Sequence, residues 1–276
     1  MAIRPFSRTL NIAHRGARSL APENTLAAAR KAFEIGADLW ELDVCMTSDG
    51  ELILLHDDTL ERTSNAAEVF PTRKPWRVCD FTFEEIRQLD FGTWFNLTDP
   101  FGQIASGHAG LQDRLKFTGA TAPTLREALE FTRDLAWKVN VEIKDLSGTS
   151  GHPVVVEKVV GLIRELGMEG DVMISSFQHE YLQQVKTISP GIKTGALVEQ
   201  PDPDPVSLIN RLKADAYNPD AAAITPEDIV KLRREGIEVY IYTVNAPNEM
   251  IRLVNAHASG IFTDYPQTLK QILASL

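Results

Sequence analysis

Short apolar runs alternate with amphipathic stretches along nearly the whole chain. Strand-like runs fall at residues 10–13, 38–44, 138–144, 172–175, 193–198, 214–217, 238–243 and 260–263. Stretches with helical periodicity follow at 21–35, 124–133, 153–166, 179–188, 206–212, 226–234, 247–255 and 266–275. Pro153, Pro226, Pro247 and Pro266 suit a first helical turn, where a missing N–H costs nothing. Thr225 and Asn245 stand where side-chain caps are expected. Strand–helix alternation repeated eight times predicts an α/β fold, a (β/α)8 TIM barrel spanning 1–276 as one catalytic domain. An open doubly wound sheet is the alternative. No Gly-x-Gly-x-x-Gly follows the first strand, so a dinucleotide-binding version of it has no support.

One region breaks the rhythm. Residues 51–55 read as a further short strand after the turn Ser48-Asp49-Gly50, and predict a hairpin with the end of the second strand. A long irregular insertion after the second strand then covers 58–122. It holds one short helix candidate at 83–89 and a Gly-rich tract at 101–110. A connection this long in a compact barrel usually carries function, and this one starts directly after His56-Asp57.

Two strands depart from the continuous apolar run of a parallel sheet. In Trp40-Glu41-Leu42-Asp43-Val44 both acids project to one face and the apolar residues to the other. The same alternation puts Asn140, Glu142 and Lys144 on one face, opposite Val139, Val141 and Ile143. Buried carboxylates need compensation. One reading is a structural ion network with Arg15 and Lys144. The reading we favour is a divalent metal on Glu41, Asp43 and Glu142, whose hard oxygens suit magnesium, calcium or manganese. Zinc fits less well, because no histidine pair has ligand spacing on one element.

Composition narrows the choice. The 276 residues are 43% hydrophobic and 24% charged, with net charge −10 from 38 acids and 28 bases. An acidic surface of this kind favours solubility and disfavours nucleic acid or anionic membranes as partners. Cys45 and Cys79 form no disulfide framework and no Cys-x-x-Cys pair. No apolar run reaches the ~18 residues of a membrane helix. The segment Met1 to Thr9 lacks a signal-peptide pattern, so no membrane insertion and a cytoplasmic location are expected. Oligomeric state is not legible.

Two dipeptides supply the chemistry. His14-Arg15, followed by Gly16, and His56-Asp57 each end a short strand. Two histidines can divide general acid and base work near neutral pH. Arg15 can hold two phosphate oxygens with its planar fork, and Lys144 adds a point charge. Three carboxylates, a divalent ion, these two cations and a phosphodiester balance to zero charge, which favours that ligand over a neutral sugar. Gly16 allows a sharp turn after the first strand. Asp57 can orient an imidazole or cap the next loop, and the loop role is preferred. Cys45 shares the parity of Asp43, but no base is assigned to it and a catalytic thiol is not expected. His152 falls on the expected active face, with substrate contact and plain exposure equally open.

Taken together, His14-Arg15-Gly16, Ala21-Pro22-Glu23-Asn24-Thr25, Glu41-Leu42-Asp43-Val44, Thr47-x-Asp49-Gly50, His56-Asp57 and Val141-Glu142-Ile143-Lys144 resemble the glycerophosphodiester phosphodiesterase family. Ser175-Ser176-Phe177, Tyr242-Thr243-Val244-Asn245 and residues 260–266 extend the resemblance over nearly the whole chain. The resemblance implies a barrel with its site at the C-terminal strand ends. It implies one metal on Glu41, Asp43 and Glu142, acid–base roles for His14 and His56, and a substrate pocket that includes Phe177 and Tyr242. The implied reaction turns a glycerophosphodiester and water into glycerol 3-phosphate and an alcohol, with a neighbouring glycerol hydroxyl able to attack first and form a cyclic phosphate. Tyr242 departs from the family's common tryptophan, and 93–122 is longer than in compact members. Two alternatives stay in view. One is a phospholipase D-like enzyme acting on lysophospholipids, with Trp94, Phe95 and Phe101 as an apolar entrance. The other is a non-catalytic binder of phosphorylated polyols.

Overall fold

The alternation of apolar runs and amphipathic stretches resolves into strands and helices in a computed structural model that describes residues 7–276. The reading of residues 1–6 as free of a leader pattern lies outside the described residues. The first half runs β1 (Leu10–Ala13), α1 (Leu26–Ile35), β2 (Leu39–Met46), β3 (Leu52–Leu54), α2 (Ala66–Val69), α3 (Phe83–Ile86), α4 (Thr93–Thr98), α5 (Leu111–Phe117) and α6 (Leu125–Asp134). The second half runs β4 (Val139–Ile143), α7 (Val155–Glu165), β5 (Val172–Ser176), α8 (His179–Ile188), β6 (Lys193–Val198), α9 (Pro205–Leu212), β7 (Ala216–Pro219), α10 (Pro226–Arg234), β8 (Glu238–Ile241), α11 (Pro247–Asn255), β9 (Gly260–Thr263) and α12 (Pro266–Ser275).

Eight strands pair in parallel and close on themselves, because β1 bonds to both β9 and β2. The expected (β/α)8 barrel is therefore the observed fold. β3 is the extra strand, antiparallel to β2 with Val44 opposite Leu54 and Met46 opposite Leu52. This is the expected hairpin, turned by Gly50 with Thr47 N–H on the Glu51 carbonyl at 3.0 Å.

Strand parity holds as read. Trp40, Leu42, Val44, Val139, Val141 and Ile143 are fully buried between sheet and helices. Glu41 and Asp43 point inward, opposite Asn140 and Glu142 of β4. Beneath them Ile12, Leu39, Met173, Ala216, Tyr240 and Phe262 pack together and fill the barrel interior. That apolar layer gives the acids a dry floor and holds the site at one end.

Several boundaries differ from the sequence reading. α1 begins at Leu26, not at 21, because Pro22 and a left-handed Asn24 (φ 55°) shape a turn that Thr25 then caps. α7 begins at Val155, so Pro153 lies in the preceding turn. Thr225 does cap α10, in a reciprocal arrangement with Asp228. Asn245 does not cap α11, since its side chain is bonded to Asp264 and Thr263 instead. β7 sits two residues later than expected, and β8 ends at Ile241.

The 58–122 segment is more ordered than its sequence suggests. It contains α2 to α5, of which only α3 was anticipated. Asp90 organises the start of α4 by accepting from Gly92 N, Thr93 N, Thr93 Oγ1 and Gly119 N. A Cβ at Gly92 would lie 1.8 Å from the Phe117 carbonyl, so α4 and α5 can approach only with glycine there. Phe95 and Phe117 bury against Ala21 and Ala28, with Trp94 and Phe101 packed on them. The segment is thus fastened to α1 and to the turn after β1.

Candidate active site

Each of the eight parallel strands contributes residues from itself or from the turn at its C-terminal end to one cavity of about 540 Å³. His14 and Arg15 follow β1, and Glu41 lies on β2. His56 follows β3, Glu142 and Lys144 come from β4, and Phe177 follows β5. Glu199, Asp220 and Tyr242 follow β6, β7 and β8. This is the end at which barrels of this architecture carry their chemistry. Of the residues expected to act as acid–base, phosphate, pocket or metal groups, His14, Arg15, Glu41, His56, Glu142, Lys144, Phe177 and Tyr242 line the cavity, and Asp43 lies beside it in the acid cluster.

The turn after β1 is built for close contact. Arg15 (φ 53°) and Gly16 (φ 79°) both adopt left-handed backbone. A Cβ on Gly16 would meet the Ala28 backbone carbon at 2.6 Å. The turn aims Arg15 N–H at Glu41 Oε2, 2.7 Å away. Its side chain places Nη1 on Glu23 Oε1 at 2.8 Å and Nε 3.3 Å from Asp43 Oδ2. Asn24, in the same turn, donates to Asp43 Oδ2 at 2.8 Å and accepts from Asp43 N–H at 3.1 Å.

Glu41, Asp43 and Glu142 bring ligand oxygens within 4.8 Å of one another. Glu41 Oε1 and Asp43 Oδ1 are buried without a hydrogen bond. Burial and the neighbouring charges of Asp43 and Glu142 push Glu41 well above the ordinary glutamate range. Burial and Asp43 raise Glu142 as well. Asp43 is held below its ordinary value, because Arg15 and Lys144 outweigh its burial. Lys144 Nζ lies 2.7 Å from Glu142 and 3.5 Å from Asp43. These two charges raise the ammonium's pKa despite burial, so it stays charged. Three buried carboxylates, two of whose oxygens lack a hydrogen bond, form a hard donor set that fits one divalent cation.

Both histidines are backed by carboxylates. His14 Nδ1 lies 2.7 Å from Asp264 Oδ1, and His56 Nδ1 lies 2.7 Å from Asp57 Oδ1. A carboxylate at Nδ1 selects the tautomer that leaves the Nε2 lone pair free. Burial and the charge of Arg15 push the His14 pKa down, against the pull of Asp264. Asp264 is fixed by Asn245, which donates to its Oδ2 at 2.8 Å and accepts from its N–H at 3.0 Å. Asp57 corrects the sequence reading. It orients an imidazole and also accepts from Arg62 Nε at 2.6 Å, whereas a loop-capping role was preferred.

Arg62 extends this second layer. It donates to both oxygens of Glu23, at 2.7 and 3.0 Å, and Arg18 adds a further contact at 2.9 Å. Burial alone would raise Glu23, but Arg62, Arg15 and Arg18 hold it at about 2. Arg18 and Arg62 carried no signal in the sequence. Glu23 and Asp264 fell inside noted motifs without a role. The charge balance drawn from sequence omitted all four of them. Barrel closure offered one clue: the residue after the last strand must adjoin the residue after the first.

Two other candidates lie elsewhere. Cys45 lines a separate cavity of about 290 Å³ beside Cys79, and burial raises its thiol pKa, so it is inert. His152 is half-buried with Nδ1 2.8 Å from the Tyr181 hydroxyl, a packing role. Trp94, Phe95 and Phe101 do not line the catalytic cavity, and Phe95 is fully buried.

The sequence pattern of the glycerophosphoryl diester phosphodiesterase family matches residues 14–268. The chain belongs to that family. It is a phosphoric diester hydrolase. The glycerophosphodiester phosphodiesterase of Caldanaerobacter subterraneus subsp. tengcongensis is 38% identical over 262 residues, covering 95% of this chain and 96% of that one. The Bacillus subtilis glycerophosphodiester phosphodiesterase is 31% identical, covering 96% and 86%. Among solved structures, the Agrobacterium tumefaciens glycerophosphodiester phosphodiesterase is 28% identical with TM-score 0.72, covering 95% and 99%. An Oleispira antarctica phosphodiesterase, solved in complex with the product sn-glycerol-3-phosphate, shares the fold at 24% identity and TM-score 0.81 over 98% of each chain. Among the described residues, no helix is long and apolar enough to cross a membrane.

Proposed function

We propose that the chain hydrolyses glycerophosphodiesters to glycerol 3-phosphate and an alcohol in a metal-dependent reaction, with His14 and His56 as the acid–base pair. One observation carries the reading. Two carboxylate-backed histidines and a three-carboxylate cluster share one cavity.

Glu41, Asp43 and Glu142 would hold one magnesium, calcium or manganese ion. Bound there, the ion supplies Lewis-acid stabilisation of charge on the phosphoryl oxygens. Arg15 and Lys144 hold the phosphodiester by charge. Their existing carboxylate contacts fix both cations in place and limit reorganisation when substrate arrives. His14, kept neutral by burial and by Arg15, accepts the proton of the attacking oxygen at Nε2. His56 acts in its imidazolium form, with Nδ1–H held by Asp57, and delivers its Nε2 proton to the leaving alkoxide, which leaves the neutral ring with a free Nε2 lone pair. If the neighbouring glycerol hydroxyl attacks first, the two imidazoles exchange roles when water opens the cyclic phosphate. Phe177 and Tyr242 form an edge-on aromatic pair, centroids 5.8 Å apart, that supplies apolar contact to the substrate. The whole chain works as one catalytic unit, with 58–122 as an outer brace.

The lysophospholipid reading loses support, because its expected aromatic entrance is packed into the fold. A non-catalytic binder has no use for two carboxylate-backed histidines. The test is release of glycerol 3-phosphate from glycerophosphodiesters by wild-type, H14A and H56A proteins. The reading expects wild-type turnover and a loss of about 10²–10⁴-fold in each variant. Near-normal turnover in either variant contradicts its role.

A further inference from the structure

The two imidazoles are joined behind the cavity by a chain of charges. Asp264, which backs His14, lies 3.5 Å from Arg18 Nη1. Arg18 Nη2 donates to Glu23 Oε2 at 2.9 Å. The same oxygen accepts from Arg62 Nη1 at 3.0 Å, and Arg62 Nε donates to Asp57, which backs His56. Glu23 is the joint. It is buried and accepts four guanidinium bonds, two from Arg62 and one each from Arg15 and Arg18. Charge-assisted bonds away from water are strong and directional, so a shift of one guanidinium is passed to the others.

Both ends of this chain depend on the 58–122 segment. Arg62 belongs to it. Arg18 lies against Phe101, with its guanidinium carbon 5.2 Å from the ring centroid. Phe101 also meets Tyr265, the residue after Asp264, edge-on with centroids 5.8 Å apart. One ring thus touches both Arg18 and the neighbour of Asp264. The loop that carries Phe101 is closed by Asp99, whose side chain accepts from Ile104 N–H at 3.0 Å and Ala105 N–H at 2.9 Å. Arg18 Nε is buried without a hydrogen bond among the described residues. A guanidinium free to turn would bring that donor to water, so the ring and the two carboxylates fix its pose.

We propose that Phe101 and Arg18 are positioning residues for His14, and that the insertion couples the two imidazoles to each other through Glu23. The inference rests on the acid–base roles given to both histidines above. None of Phe101, Arg18, Glu23 and Arg62 lines the catalytic cavity, so each acts through a histidine and not on the substrate. Acid–base work divided between two rings needs both held at fixed places, and a misplacement of about 1 Å costs up to about 10²-fold in rate. The insertion then serves catalysis from outside the cavity.

The test has a kinetic arm and a spectroscopic arm, with circular dichroism confirming that each variant is folded. F101L keeps apolar bulk and removes the ring, whereas F101Y keeps the ring. Glycerol 3-phosphate release is followed with the best used of glycerophosphocholine, glycerophosphoethanolamine and glycerophosphoglycerol. F101L should lower kcat about tenfold with KM changed less than about twofold, and F101Y should stay within about twofold of wild type. R18Q and R62Q should each lower kcat, and their double variant should lose at least about fivefold less than the product of the single losses. In the substrate-free protein, ring 15N shifts report the tautomer of each histidine, assigned with H14Q and H56Q. F101L should mix the tautomers of His14, and R18Q should also shift the ring nitrogens of His56. Wild-type kcat in F101L, an effect confined to KM, or an equal loss in F101Y overturns the role of Phe101. Single losses that multiply within about twofold, or His56 shifts unmoved in R18Q, overturn the coupling. If the wild type hydrolyses none of the diesters, the phosphodiesterase reading fails and the ring shifts alone decide this inference.

Discussion

His14 Nδ1 and Asp264 Oδ1 lie 2.7 Å apart, 250 positions distant in the chain. The contact exists because β1 and β9 are neighbours in the closed barrel, with Ala13 in register with Thr263. Asp264 is held at about 2, since the His14 contact and Arg18 outweigh its burial, so it is ionised at neutral pH. Its substitution D264N keeps the shape and removes the charge that selects the His14 tautomer. We expect kcat to fall about 10²-fold or more with the fold intact, measured by steady-state kinetics beside circular dichroism. An unchanged kcat would remove Asp264 from the positioning of His14.

The second pair, His56 with Asp57, differs by having Arg62 on the far side of the carboxylate. D57N should lower kcat more than it raises KM, because the imidazole loses its orientation but no substrate contact is cut. R62K should have a smaller effect in the same direction, since an ammonium cannot reproduce the fork that spans Asp57 and Glu23. An effect confined to KM in either variant would contradict this positioning role.

Glu23 links pH to stability. Its folded-state value of about 2 lies below its ordinary 4.5. The ionised form is therefore favoured by folding. Its contribution is complete above about pH 4.5 and disappears as pH falls through about 2. A shift of this size corresponds to about 3 kcal/mol at neutral pH. Denaturant unfolding of wild type and E23Q should differ by that order at pH 7, and the difference should narrow on acidification. A gap that does not change between pH 7 and pH 3 would contradict the assignment.

Gly16 tests the turn that carries His14 and Arg15. G16A puts a Cβ 2.6 Å from the Ala28 backbone carbon at a positive φ. We expect a loss of about 1–3 kcal/mol in unfolding free energy, with turnover reduced in the molecules that remain folded. Wild-type stability and activity in G16A would show that the turn tolerates a side chain.

The hydrophobic pattern revealed most of the barrel because each strand buries an uninterrupted or strictly alternating run. The departure from that pattern at Glu41, Asp43 and Glu142 exposed the acid cluster for the same reason. α4 and α5 escaped notice because they are short and are held by Asp90 and by the Phe95–Phe117 contact, neither of which is periodic. Asp57 was misread because a carboxylate after a histidine looks the same in sequence whether it caps a loop or faces the ring. Arg62 and Arg18 were invisible because their partner Glu23 is reached through the fold. The charge balance pointed to a phosphodiester from an incomplete set of charges.

The most direct test of the central claim is glycerol 3-phosphate release from a glycerophosphodiester by exhaustively chelated enzyme, before and after metal is restored, with metal binding followed in parallel by thermal unfolding. The account predicts negligible turnover after chelation, recovery with magnesium, calcium or manganese, and a metal-induced rise in Tm that E41Q and E142Q lack. Full turnover by the chelated protein, or the same rise in Tm in both variants, would contradict it.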